Sequence, residues 1–379
     1  MEPKIRFKGF EGEWKTQSLS DHNFSIIAGG DVDKKLLQNN GKYPVIANAL
    51  TNDGILGYYM DSFRVNGPAV TVTGRGDIGV AIARHYSFTP VVRLLSIKSN
   101  HNVDFLANAI NCYKAAKEST GVPQLTTAKL QEYRIPIPKE MDEENAIASY
   151  FTSLDSQISA STSRLASLKQ MKAASLQAMF PQEGETVPKI RFKGFEGEWK
   201  KVKADSIFKT FNEKNRSDLP VLSATQDRGM VTRESIGYNI FHDTSNEATY
   251  KHILPGQFVI HLRSFQGGFA HSEIEGIASP AYTIMDFKNK ELYYDYYWRY
   301  VFMSKEFIKR LELITYGIRD GRSISYDEFK EMSFLVPSKE EQIKIALYLR
   351  NLDHQITLQT QRLEKLKQIK SACLDKMFV

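Results

Sequence analysis

At 379 residues and 43.2 kDa the chain is long enough for two or three domains, and 42% hydrophobic with 25% charged residues excludes wholesale disorder. Fifty Lys and Arg against 44 Asp and Glu leave a net charge of +6, which permits nucleic-acid binding without demanding it. No apolar run approaches the ~18–20 residues of a membrane-spanning helix, the opening residues lack a signal-peptide pattern, and Cys112 and Cys373 match no metal or redox spacing, so a cytoplasmic protein is expected.

The first element in chain order is a short signature, PKIRFKGFEGEWK at Pro3–Lys15, which returns without a change at Pro188–Lys200. Thirteen identical residues lie beyond chance, and a second related pair follows: Leu154–Phe180 lines up with Leu352–Phe378. The chain is therefore a tandem. The expected organisation is a β-rich body over 1–138 opened by signature 3–15, a central helix over 139–180, and a polar linker over 181–187. A second body over 188–337, opened by signature 188–200, and a C-terminal helix over 338–379 complete it.

In the first body, short β-branched runs (AVTVT, GVAIA, VVRLLSI) alternate with Gly, Asn and Asp turns, which predicts a mixed α+β fold built on a curved antiparallel sheet. Gly74–Gly79 reads GRGDIG, but VAIA continues it as a strand where a dinucleotide fold needs a helix, so it is expected to be a β-turn with Arg75 exposed at its tip. The body closes on GVPQLTTAKLQEYRIPIP, a glycine loop, a short helix and a strand.

The helix that follows carries apolar residues at Ile147, Phe151, Leu154, Ile158, Leu165 and Leu168, then Met171, Leu176 and Met179. Its later counterpart gives Ile345, Leu349, Leu352, Ile356, Leu363 and Leu366, then Ile369, Leu374 and Met377. Steps of three and four make a heptad seam, so the two helices are predicted to pair as a coiled coil. Ser161 and Gln359 interrupt the seam at equivalent places, where a polar residue fixes register. Acidic residues open both helices (Asp142, Glu143, Glu144; Glu340, Glu341) and complement the macrodipole. At 1.5 Å per residue a helix of roughly 39 residues reaches about 58 Å, which makes each a spacer as well.

The second body has the same texture (GQFVIHL, AYTIMDF) and closes comparably on GIRDGRSISYDEFKEMSFLVP. Residues 16–138 are mildly basic, with 12 Lys and Arg against 9 Asp and Glu, and residues 201–337 are neutral at 18 against 18, so a case for nucleic acid rests on clustered loop residues. Candidates for DNA contact are Lys34, Lys35, Asn48, Asn52, Arg75, Gln124, Thr126, Thr127 and Lys129 in the first body. In the second they are Gln226, Arg228, Arg263, Gln266, Arg319, Arg322 and Ser323. Arg and Lys suit guanine edges, Gln and Asn suit adenine edges, and all can hold phosphates. His242, His252, His261 and His271 fall at no metal-ligand spacing and are expected to be strand or loop histidines. No Walker loop, nucleophile elbow or zinc-deaminase signature is present, so a non-catalytic chain without a metal or cofactor of its own is expected.

Taken in order and in duplicate, the RFKGFEGEW signature, the closing IPIP and FLVP strands and the LKQ(M/I)K helices resemble the DNA specificity subunits of type I restriction–modification systems. The resemblance implies two target-recognition domains held apart by two helices packed antiparallel, each domain reading one half of a bipartite, asymmetric site in double-stranded DNA. It also implies that the helices dock two modification subunits, which bring S-adenosylmethionine and methylate adenine, and that restriction subunits using ATP and magnesium join them. A coiled-coil adaptor with protein-binding bodies and a silent specificity cassette are the competing readings.

Overall fold

The computed structural model describes residues 2–113, 124–225, 228–237, 244–261, 268–314 and 324–378. In chain order the first body holds β1 (Lys15–Ser18), β2 (Ser25–Ala28), β3 (Tyr43–Ile46), β4 (Ile55–Tyr59), β5 (Ala69–Thr73), β6 (Ala81–Arg84), β7 (Thr89–Pro90) and β8 (Leu94–Lys98). Then come α1 (Val103–Cys112), α2 (Thr127–Gln131), β9 (Arg134–Ile137) and the long α3 (Met141–Ala178). The second body holds β10 (Lys200–Lys203), α4 (Ala204–Ile207), β11 (Phe208–Phe211), β12 (Leu222–Thr225), β13 (Gly229–Thr232), β14 (Lys251–Ile253) and β15 (Phe258–Ile260). It continues through β16 (Phe269–His271), β17 (Gly276–Ala278), β18 (Thr283–Phe287), α5 (Asp295–Met303), α6 (Lys305–Ile314), α7 (Tyr326–Phe329), β19 (Ser333–Val336) and the long α8 (Lys339–Met377).

The compact units cut across this order. One comprises Met1–Ser163 with Thr360–Val379 and the other Arg164–Gln359, so each long helix is divided between them. In the first unit a four-stranded antiparallel sheet runs in the order β2-β8-β5-β6, with α1 packed on β5 and β6. In the second the order is β11-β18-β15-β16, with α5 packed on β16. The two sheets share one topology: an outer strand, the last strand of the set, then a hairpin. The other elements agree with this. The strand after each signature pairs antiparallel with the closing strand, β1 with β9 and β10 with β19. Each unit also has a further hairpin, β3–β4 or β12–β13, with a parallel pairing in or just before its first strand: Val45 of β3 lies opposite Thr89, and Val221, the residue before β12, opposite Ile277.

Burial explains why sequences that differ keep one plan. In the first unit the inner face of the sheet (Val70, Val72, Ile97) closes on Phe105, Leu106 and Ile110 of α1, with Trp14, Ile147, Phe151 and Phe378 in the same cluster. The second core is aromatic, with Phe208, Phe258, Phe287, Trp298, Phe302, Phe329 and Phe334 in contact. Phe208 meets Trp298 edge-on at 5.1 Å and Phe287 face-on at 5.2 Å, geometries that suit aromatic quadrupoles.

The long helices run antiparallel within each unit. In the first, Tyr150 Oη lies 3.4 Å from Cys373 Sγ, and Lys370 Nζ donates to Asp155 Oδ1 at 2.5 Å. In the second, Ser175 Oγ lies 3.3 Å from Tyr348 Oη, and Lys172 Nζ pairs with Asp353 Oδ1 at 2.5 Å. The seam residues Ile147, Phe151, Leu154, Leu168, Ile345, Leu349, Leu352 and Leu363 are buried, and Ile158, Leu165, Ile356 and Leu366 are half-buried. The interrupting Ser161 and Gln359 are themselves 4% and 8% exposed. Met171, expected on the apolar stripe, is 48% exposed. The heptad instead continues through Lys172, Ser175 and Met179, so the last third of the seam is polar and holds its partner by ion pair and hydroxyl.

The repeated signature folds against both long helices. Arg6 donates from Nε and Nη2 to the two carboxylate oxygens of Glu143 at 2.7 and 2.8 Å and from Nη1 to Gly12 O at 2.6 Å. Arg191 makes the same fork to Glu341 at 2.7 and 2.8 Å and the same bond to Gly197 O at 2.6 Å. Both carboxylates lie in the first helical turn and are buried. The signatures also reach a helix C-terminus: the Lys4 and Ile5 amides donate to Lys376 O, and the Ile190 amide donates to Ala178 O. Each thirteen-residue block thus joins the start of one long helix to the end of the other.

Candidate nucleic-acid interface

Shared topology gives each unit the same two hairpins. In the first unit the β5–β6 connection is Gly74–Val80, with Gly76 and Gly79 at φ 76° and 83°. It is a turn, as its sequence predicts, and Arg75 is exposed upon it. Three distant segments meet at Gly74. Its carbonyl accepts from the Leu125 amide at 2.9 Å, and its amide donates to Arg93 O at 3.0 Å and to Asn48 Oδ1 at 2.7 Å. Asn48 Nδ2 donates to Arg75 O at 2.6 Å. Asn48, Arg75 and the Gln124–Lys129 segment are therefore brought together, with both ends of the Asn48 amide spent on holding the Arg75 turn.

The other candidates of this unit sit as follows. Gln124 and Lys129 are exposed, and Thr127 is half-buried at the start of α2. Thr126 caps that helix, its Oγ1 accepting from the Lys129 amide at 3.3 Å. Asn52 is exposed on the β3–β4 turn, which Gly54 closes at φ 74°. A Cβ on Gly54 would stand 2.9 Å from the carbonyl oxygens of Ala47 and Ala49, so only glycine fits there. Lys34 and Lys35 are exposed on a separate loop tied to β4 by the Asp33 amide, which donates to Tyr59 Oη at 2.8 Å. Nothing joins that loop to Gly74 among the described contacts.

In the second unit Arg228 is exposed on the β12–β13 connection, the place Asn52 holds in the first. Its amide donates to Thr225 Oγ1 at 3.1 Å. Gly229 follows at φ 74°, where a Cβ would meet His271 O at 2.3 Å. His271 is fixed by Asp295 Oδ2, 2.8 Å from Nε2. Burial pushes Asp295 up, yet the hydrogen bond and charge of His271 hold it below the usual carboxylate range. Gln226, Arg263, Gln266, Arg319, Arg322 and Ser323 lie outside the described residues, as does His242.

A cavity of about 680 Å³ in the second unit is lined by Arg228, Lys172, Glu273, Arg299 and Asp353 among others. Arg299 Nη1 donates to Glu273 Oε1 at 2.6 Å, and Asp353 also accepts from Tyr300 Oη at 2.7 Å. Arg299 and Lys172 are thus paired with carboxylates, and among the described residues Arg228 is the further cation of the lining. Sequence reasoning passed over this cavity because its lining comes from β13, α5 and both long helices. It also passed over Arg84, a buried cation whose strand position reads as ordinary. Among the described residues no cluster of His, Cys, Asp or Glu could hold a metal ion, and no helix is long and apolar enough to cross a membrane.

Chemically, the exposed tips present guanidinium, amide and ammonium groups, the donors and acceptors that bind phosphate oxygens and base edges. Residues 11–170 and 196–368 match the family described as the type I restriction modification DNA specificity domain. A Mycoplasma pneumoniae protein named as a type I specificity subunit is 34% identical over 131 residues, 33% of this chain and 36% of its own length. A second one from that organism is 29% identical over 167 residues, 41% of this chain and 50% of its own, so the chain spans half or less of the length of these relatives. Among solved structures, the S subunit of a type I restriction–modification system from M. genitalium superposes with a TM-score of 0.65 at 16% identity. That match covers 100% of this chain and 99% of the other and speaks for the fold alone.

Proposed function

The chain belongs to the type I restriction modification DNA specificity family, and we propose from that premise that each of its two units reads one half of a bipartite duplex DNA site. The observation that carries this reading is the repeated plan: two sheets of one strand order, each offering the same pair of hairpin connections, with Asn52 and Arg75 on one pair and Arg228 on the other. A protein that reads an asymmetric split sequence needs one scaffold twice with different side chains at its tips, and the diverged bodies satisfy that need. The long helices act as the ruler between half-sites and as the docking surface for two modification subunits. Linking two weak readers at one separation adds their base contacts while restricting the spacing. Methyl transfer from S-adenosylmethionine to adenine, and ATP- and magnesium-dependent restriction, belong to partner subunits; this chain supplies address rather than chemistry.

The test is the salt dependence of binding to duplex DNA by the chain together with its modification subunits. Contacts to several phosphates should give a linear fall of log K with log salt, with a slope of about −0.9 per phosphate. A flat response would favour the adaptor reading, to which the neutral charge of residues 201–337 is better suited.

A further inference from the structure

We propose that Arg84 is a positioning residue that holds the Thr51–Gly54 turn so that Asn52 reads a base, making this turn a specificity determinant of the first unit. The inference rests on the DNA-reading role proposed above. Its first observation is backbone conformation. Asn52 (φ 50°, ψ 38°), Asp53 (φ 55°, ψ 19°) and Gly54 (φ 74°) are three consecutive residues in the left-handed region. Asn and Asp tolerate that region better than other side chains, yet two in succession persist only where the surroundings over-determine them.

The second observation is what over-determines them. Arg84, on β6, is 2% exposed and spends its guanidinium beneath the turn. Nη1 pairs with Asp53 Oδ2 at 2.8 Å, and Nη2 donates to Asp53 O at 3.1 Å. Nε donates to Thr71 Oγ1 at 3.2 Å and Nη1 to Tyr86 Oη at 3.2 Å, while Tyr86 Oη donates to Asp53 Oδ2 at 3.4 Å. The Ala47 amide closes the turn on Gly54 O at 2.7 Å. A buried cation is unfavourable unless paired and hydrogen-bonded, so a network of this kind beneath a surface turn is a poor way to fill space and a good way to fix backbone.

The third observation is what the turn displays. Asn48, one strand-end earlier, has both amide ends committed to Gly74 and Arg75. Asn52 is exposed, and its printed side-chain bond is a long 3.3 Å from Nδ2 to Ile55 O, leaving Oδ1 turned to no described partner. An amide with donor and acceptor side by side matches the N6/N7 edge of adenine. Asn48 anchors the neighbouring Arg75 turn to the same β3–β4 loop, so the two tips keep a fixed separation.

The experiment uses the full chain assembled with its modification subunits and maps which sites of a duplex library become methylated. Asn52→Gly keeps the left-handed backbone and removes the amide; Arg84→Met keeps volume and removes the ion; Asp53→Asn weakens the pair while keeping a side chain that tolerates the turn, which covers failure of Arg84→Met to fold. All three should relax the same single position of one half-site, with discrimination there falling roughly tenfold or more, and leave the other half-site unchanged. An unaltered motif in Asn52→Gly overturns the proposal. Relaxation in Asn52→Gly but in neither Arg84→Met nor Asp53→Asn overturns the positioning role. Absence of DNA binding and methylation by the wild-type assembly would instead sink the DNA-reading role on which the inference rests.

Discussion

Tyr150 and Cys373 meet where α3 and α8 run side by side in the first unit, and their hydrogen bond reaches the phenol's acidity. That bond, with burial and the nearby thiol charge, raises the Tyr150 pKa to about 12, against about 10 for a free tyrosine. The folded state therefore holds its proton where the unfolded chain has released it. A raised phenol pKa contributes stability that is complete below pH ~10 and is lost as pH rises toward 12. Tyr150→Phe should flatten the fall of unfolding free energy between those values. Equal slopes for variant and wild type would show that the contact does not control this proton.

Elements show best why the signature repeats without change while the bodies diverge. Arg6 and Arg191 each meet a carboxylate of under 3% exposure, in a two-bond fork that raises the guanidinium pKa chiefly through that hydrogen bond. Removing one partner leaves a buried charge uncompensated, which typically costs about 3–5 kcal/mol. Arg6→Ala and Arg191→Ala should each lower stability by that order in denaturant titration, and Lys should rescue poorly because it cannot form the fork. A loss under about 1 kcal/mol would reduce the pair to a surface contact. The helices and the signatures were legible in the sequence because heptad spacing and exact repetition are local properties. Glu143 and Glu341, whose place in the first helical turn complements the macrodipole, have the further task of receiving the signature arginines, which no local pattern encodes.

The whole molecule was legible as a tandem of α+β bodies with two long helices, but not in how those helices are apportioned. Sequence order attaches each helix to the body before it, whereas compact packing divides both helices between the units. The candidate interface was legible in part for the same reason. Arg75 and Arg228 announce themselves beside turn glycines. The tether from Asn48 to Gly74 and the Arg84–Asp53 pair join positions roughly thirty apart, and long-range contacts leave no spacing to read.

The most direct test of split-site reading is genome-wide mapping of N6-methyladenine after co-expression of this chain with its modification subunit in an unmethylated host. A two-part motif around an unspecified spacer, in which exchanging residues 201–337 alters one part only, is the expected result. A stable complex that methylates no defined motif, or an exchange that alters both parts together, would contradict it.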